Sequence, residues 1–179
     1  GKVYSYATTL SQLGTDYTYY FEAYDIWNAS ATQFISGTGP NVINNSPTLT
    51  WTGETNYVSD GLDTETGTST TTFTFRVKYT DIDNDAPTSG YPKVIIMKDN
   101  QVYQSFSMNY VSGNYSTGAV YSTASLLSPC SYYTYYFEVY DIWNTSAPQF
   151  LSGTGPNVVT SIKGYVQYPD NTGMNNVNV

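Results

Sequence analysis

Through residues 72–80 the chain alternates without a fault, Phe73, Phe75, Val77 and Tyr79 on one side and Thr72, Thr74, Arg76, Lys78 and Thr80 on the other. A period of two puts one set on a dry face and the other in water, so this segment is predicted to be a strand with one buried face. The same alternation sets Tyr133, Tyr135, Phe137 and Val139 against Thr134, Tyr136, Glu138 and Tyr140, and it recurs in Tyr17, Tyr19, Phe21 and Ala23. Further strands are expected at 48–51, 93–98, 102–108, 120–126 and 149–152. Clusters of Gly, Pro, Asn, Asp and Ser separate them at 59–61, 81–90, 99–100, 112–114, 128–129 and 141–148, where each residue type favours a turn. No segment carries a helical period. About seven short strands in roughly 110 residues predict an all-β fold, an antiparallel Greek-key immunoglobulin-like sandwich.

The chain also repeats itself. Residues 17–28 read YTYYFEAYDIWN and residues 133–144 read YTYYFEVYDIWN, eleven of twelve identical at an offset of 116. The offset holds for SGTGPNV at 36–42 and 152–158, and residues 1–10 match 118–127 at an offset of 117. Self-similarity at a fixed period is the mark of tandem modules. The organisation expected is the C-terminal half of one copy in residues 1–42, a complete copy in 43–158, and the first strands of a further β-sandwich domain or docking tail in 159–179. Because residue 1 falls at the fifth strand of a seven-stranded unit, the first copy lacks half its sandwich and its strand edges should lie unpaired. Either preceding residues of a longer polypeptide complete it, or another subunit does so by strand addition.

Leu127-Ser-Pro129-Cys-Ser131-Tyr-Tyr133, followed by alternating apolar residues, resembles the L-x-P-x-T-x-Y signature before strand F of fibronectin type III and related immunoglobulin-like domains. The resemblance implies that Tyr133 is a corner tyrosine whose hydroxyl bonds to nearby backbone, with Leu127 its core neighbour. The first copy departs from the pattern, keeping only Thr15 and Tyr17. Modules rich in Thr and Tyr with a Tyr-Thr-Asp-x-Asp-x-Asp loop are similar to those of large prokaryotic S-layer, adhesin and filament proteins. Ile162-Lys-Gly164-Tyr-Val166 and Gly173 through Val177-Asn-Val179 resemble the opening of carboxypeptidase-regulatory-like or collagen-binding B-type domains.

Composition narrows the function. The 179 residues hold 6 basic and 14 acidic side chains for a net charge of −8, no histidine, one cysteine and 20 tyrosines. Without histidine the commonest general base and zinc ligand is missing, and the negative charge argues against nucleic acid as partner. Cys130 alone makes no intrachain disulfide. The longest aliphatic run, Val94-Ile95-Ile96-Met97, is too short to span a membrane, so no membrane insertion is expected. Only 11% of residues are charged, and a surface carried by Ser, Thr, Asn and Tyr suits an extracellular or cell-surface protein.

Asp81, Asp83 and Asp85 place carboxylates at every second residue of a loop, a spacing that can aim several hard oxygens at one calcium ion. In an immunoglobulin-like sandwich this loop shares a pole with the one that carries Asp141, which completes the expected calcium set. A solvated acidic turn is the plainer alternative. Asp60, Asp63 and Glu65 form a second acidic loop, in which carboxylate catalysis would need two groups held across a cleft. Tyr20, Tyr24, Tyr136 and Tyr140 fall on the outward side of their strands and form the expected contact surface, for glycans or for another subunit. Trp27 and Trp143 in the DIWN loop are expected to plug the end of the core, with a role as contact anchors the alternative. Asn28, Asn44, Asn114 and Asn144 lie in N-x-S/T sequons and are candidate glycosylation sites. The whole predicts a non-enzymatic structural module whose partners are copies of itself or neighbouring repeats, with glycan binding as the alternative.

Overall fold

Alternating apolar residues become strands along most of the chain. The computed structural model describes residues 1–11 and 13–160, and these contain thirteen strands and no helix. The expected tail domain at 159–179 lies outside the described residues, apart from its first two. Compactness divides the chain into two units, Gly1–Asn45 and a second that begins at Ser46. Among its described residues the first holds the hairpin β1 (Thr18–Phe21) and β2 (Ile35–Thr38) and no other strand. The second holds β3 (Thr48–Thr50), β4 (Leu62–Asp63), β5 (Thr66–Thr68), β6 (Phe73–Thr80), β7 (Lys93–Lys98), β8 (Gln101–Ser107), β9 (Asn109–Asn114), β10 (Gly118–Ser125), β11 (Tyr133–Glu138), β12 (Leu151–Thr154) and β13 (Asn157–Val159).

In the second unit one sheet runs β3-β6-β10-β9, with β4 also on β6, and another runs β12-β11-β7-β8. All ladders within these sheets are antiparallel. β5 and β13 form a separate parallel pair. The inner row of β6, Phe73, Phe75, Val77 and Tyr79, is fully buried, as are Val94 and Ile96 of β7 and Tyr133, Tyr135 and Phe137 of β11. Phe75 meets Tyr135 edge to face at 5.2 Å, and Trp51 meets Phe137 at 6.2 Å. These contacts join the inner faces of the two sheets into one core. Burying each such side chain contributes roughly 1.5–3 kcal/mol.

Two core phenols have the partners that burial requires, whereas Arg76 Nε and Gln104 Oε1 on the strands around the core are buried without one. The Tyr133 hydroxyl donates to the Ser128 carbonyl at 3.0 Å, and Leu127 is buried nearby, so the corner geometry that the Leu-x-Pro motif implies is present. The Tyr135 hydroxyl accepts from the Gly61 amide at 3.1 Å. Burial pushes both phenols well above the ordinary tyrosine range, which keeps them protonated. At 99–100 the turn is the one expected: Asp99 and Asn100 both have positive φ, the conformation a two-residue hairpin between β7 and β8 needs.

Two expectations fail. Residues 112–114 belong to β9 instead of a turn, and the chain reverses at 115–117, where the Thr117 amide bonds to the Asn114 carbonyl. Gly113, at φ +101°, is there because a Cβ would overlap the Gly118 carbonyl across the ladder. The fifth strand expected in residues 1–10 does not form, and those residues are exposed. Their counterpart, β10, is held between β6 and β9.

Gly153 lies opposite Tyr135, and a Cβ on it would strike the tyrosine hydroxyl. Gly153→Ala is therefore expected to cost the second unit about 1–3 kcal/mol by overpacking. The check is a lower urea midpoint with an unchanged slope.

Candidate functional site

The polar chemistry of the second unit gathers where β6 ends and where β11 ends. Asp81 follows β6 directly. Its Oδ1 accepts from the amides of Asp83 at 2.9 Å and Asp85 at 3.3 Å, while the Asn84 amide bonds to the Asp81 carbonyl at 3.0 Å. Asn84 closes the turn with φ +64°. Beyond β11 the same carboxylate bonding recurs. Asp141 Oδ1 accepts from Trp143 at 2.9 Å and Thr145 at 2.8 Å, the Asn144 amide bonds to the Asp141 carbonyl at 3.0 Å, and Asn144 has φ +63°. In the first unit Asp25 Oδ1 accepts from Trp27 at 2.8 Å and Ala29 at 2.9 Å, with Asn28 again at φ +63°.

The three loops share the string Asp-Ile-x-Asn. Asp and Asn suit it for separate reasons: a short carboxylate reaches amides two and four residues on, and Asn tolerates the left-handed conformation. Sequence reading passed over Asp25 and over the closing role of Asp81 and Asp141, although the triple recurrence was there to be found.

Asp81 is 1% exposed and Asp141 is fully buried. Burial pushes the Asp81 carboxyl above the usual range, against the pull of the two amides and of the Tyr79 hydroxyl. That hydroxyl donates to the Asp85 carbonyl at 2.9 Å and lies 3.2 Å from Asp81 Oδ2. Burial, with Asp81 beside it, keeps the Tyr79 phenol protonated to far above the ordinary range. Trp143 Nε1 donates to Asp85 Oδ2 at 2.8 Å, and the Thr88 amide bonds to the Tyr140 carbonyl at 2.8 Å, so the two loops are joined at one pole.

For a cation, the structure brings together three of the four expected ligands. Oxygens of Asp81, Asp83 and Asp85 lie within 4.8 Å of one another, and Asp141 is not in that group. Calcium takes six to eight oxygens, so the trio fits as the heart of a site and not as a whole one. In the second acidic loop Asp60 accepts from the Leu62 amide, and Asp63 accepts from the Thr64 amide and from Asn56. Glu65 is shifted upward by burial and by the charges of Asp60 and Asp63.

The tyrosines divide by unit. Tyr20 and Tyr24 are exposed, whereas Tyr136 and Tyr140 are half-buried, Tyr136 edge-on to Phe150 and Tyr140 edge-on to Tyr91. Lys93 Nζ sits 4.4 Å from the centre of the Tyr91 ring. Ile95, on the outer side of β7 beside Tyr136 in the ladder, is buried although it lies outside the main core. Trp27 and Trp143 are both exposed, so neither plugs the core. Among the sequon residues, Asn28, Asn114 and Asn144 are exposed and Asn44 is half-buried. Asn114 Oδ1 is engaged by the Ser116 amide and hydroxyl.

No protein-family model matches the chain, and no curated protein matches it significantly.

Asp81→Ala removes the acceptor of two amides and is expected to destabilise the second unit by about 1–3 kcal/mol, whereas Asp81→Asn keeps an acceptor and should cost far less. The folded-state pKa of Asp81 lies above its ordinary value of 3.8. The folded state then holds the proton more tightly, and the contribution to stability falls as pH rises from 3.8 through the raised value. Asp81→Asn should lack that increment, which melting curves taken at both ends of the interval would reveal.

Proposed function

We propose that the chain is a non-catalytic structural module of an extracellular, cell-surface protein, a spacer, lattice or filament element built from immunoglobulin-like sandwiches in tandem. The observation that carries the reading is the use of its reactive side chains. Asp81, Asp141, Tyr79, Tyr133 and Tyr135 all spend their polar atoms on closing loops and corners of the fold. A chain whose carboxylates and phenols are committed in this way resists shape change, which is what a spacer needs.

Strand order supports the immunoglobulin-like part. Taking β3, β6, β7, β10, β11 and β12 as A, B, C, E, F and G, with β9 as D, gives an A-B-E-D sheet facing a G-F-C sheet, with β8 as a C′ strand. The location outside a prokaryotic cell rests on the low charge, the exposed sequons and the likeness of the sequence to surface-layer, adhesin and filament modules. No helix among the described residues is long and apolar enough to cross a membrane.

Electron microscopy of the purified protein is expected to show periodic filaments or sheets, with a featureless field counting against the proposal. The competing reading, a glycan-binding or adhesive module, draws on two aromatic pairs, Tyr136 with Phe150 and Tyr140 with Tyr91. A glycan array should stay blank under the structural reading, and signal lost on Tyr140→Ala would overturn it.

Calcium enters the proposal as a stiffener at Asp81, Asp83 and Asp85, neutralising three carboxylates that repel one another. The melting temperature should be higher in millimolar calcium than in chelator, and the difference should vanish in Asp83→Asn. Equal melting temperatures would remove the ion from the account.

A further inference from the structure

Two hairpins of almost one sequence exist in opposite states. β1 and β2 pair Thr18 with Thr38, Tyr19 with Gly37, Tyr20 with Ser36 and Phe21 with Ile35, and β11 and β12 repeat that register residue for residue from Thr134 opposite Thr154 to Phe137 opposite Leu151. On its other edge β11 meets β7, from Tyr133 opposite Lys98 to Glu138 opposite Lys93. Among the described residues β1 has no strand on that edge. Tyr135 and Phe137 are each 1% exposed, while their counterparts Tyr19 and Phe21 are 47% and 64% exposed. Leu127 is 2% exposed and its counterpart Leu10 is 36%. Where the second unit has its core, the first has an open groove of about 470 Å³ lined by Tyr6, Leu10, Tyr19, Phe21 and Pro40.

We propose that this groove and the open edge of β1 are an acceptor site for the strand set of a further copy of the repeat, a segment with the sequence character of residues 46–117. This deepens the structural-module reading and rests on it. The second unit is the template for this occupant, since it holds such a segment seated on the counterpart residues. By that template Ile96 of the incoming β7-type strand lies opposite Tyr19 and Val94 opposite Phe21, and a Phe75-type ring enters the groove edge-on to Tyr19. Backbone pairing supplies affinity, and the alternating apolar side chains supply the match. A second copy of residues 1–179 is a poor donor, since its own residues 46–117 are already seated on its β11 and β12, and giving them away would strip that hairpin. The site therefore takes a strand set that is not already seated on a hairpin of the β11–β12 type.

The test extends the full chain with a duplicate of its own residues 43–117 placed before Gly1, which restores the succession seen at 117–118. Amide hydrogen exchange of Thr18–Phe21 is read against Tyr133–Glu138 in the same sample. In the original chain the β1 amides should exchange fast, and in the extended chain they should slow by about a hundredfold or more, toward the β11 rate. Ile96→Asp in the duplicate alone should abolish the slowing and leave β11 protected. Fast exchange at β1 in the extended chain, with β11 protected, overturns the proposal. So does protection of β1 in the original chain that grows with protein concentration, which would make a second copy the occupant. Either failure leaves the module reading to stand or fall by microscopy.

Discussion

A two-stranded hairpin has two faces and can bury neither by itself. Every large side chain of the second unit's core answers that constraint. Phe73, Phe75, Val77 and Tyr79 are dry because Tyr133, Tyr135, Phe137 and Val139 lie across from them, and the converse holds equally. Neither row is a core alone. The ladders decide which strands are neighbours, but the meeting of the two sheets decides whether those ladders persist in water. Residues 1–10 make the dependence plain: β10, their counterpart in the second unit, is a strand between β6 and β9, and they are not.

The polar groups follow from the same arrangement. With no histidine and few charges, the chain satisfies its interior with phenols, amides and short carboxylates. Tyrosine suits such a core, since the ring fills space and the hydroxyl reaches backbone at the rim. Tyr133 reaches the Ser128 carbonyl, Tyr135 the Gly61 amide, and Tyr79 the carbonyl of Asp85. Because burial holds these phenols protonated, none of the three bonds changes character over the range in which most proteins live.

Much of this was legible in the sequence. β6 and β7 could be read nearly to the residue, because strict alternation or a short aliphatic run leaves no competing period. The corner at Tyr133 was legible from seven residues. β9 was not, because Ser112 and Gly113 are turn formers by propensity, and only the Gly118 carbonyl across the ladder explains the glycine. The strand expected at 1–10 failed for a different reason: pattern states what a segment can bury and says nothing about whether a partner is present. At the candidate site the acidic run was visible while its local purpose was not. Alternating carboxylates suggest an ion, yet the bonds of Asp81 are those of Asp25 and Asp141, whose loops carry no such run.

That loop separates frame from content. One carboxylate and one left-handed asparagine recur in it, and the third and fifth positions hold Trp and Ala, Trp and Thr, or Asp and Asp, although the Asp81 amide bonds to the Tyr115 carbonyl where the amides of Asp25 and Asp141 bond to the carbonyl of the fifth residue. Those two positions are thus free to vary in residue type while the carboxylate bonding stays. Modules of identical outline could present an aromatic tip or an acidic one, and a row of them could vary in electrostatic character from one unit to the next while keeping a constant length.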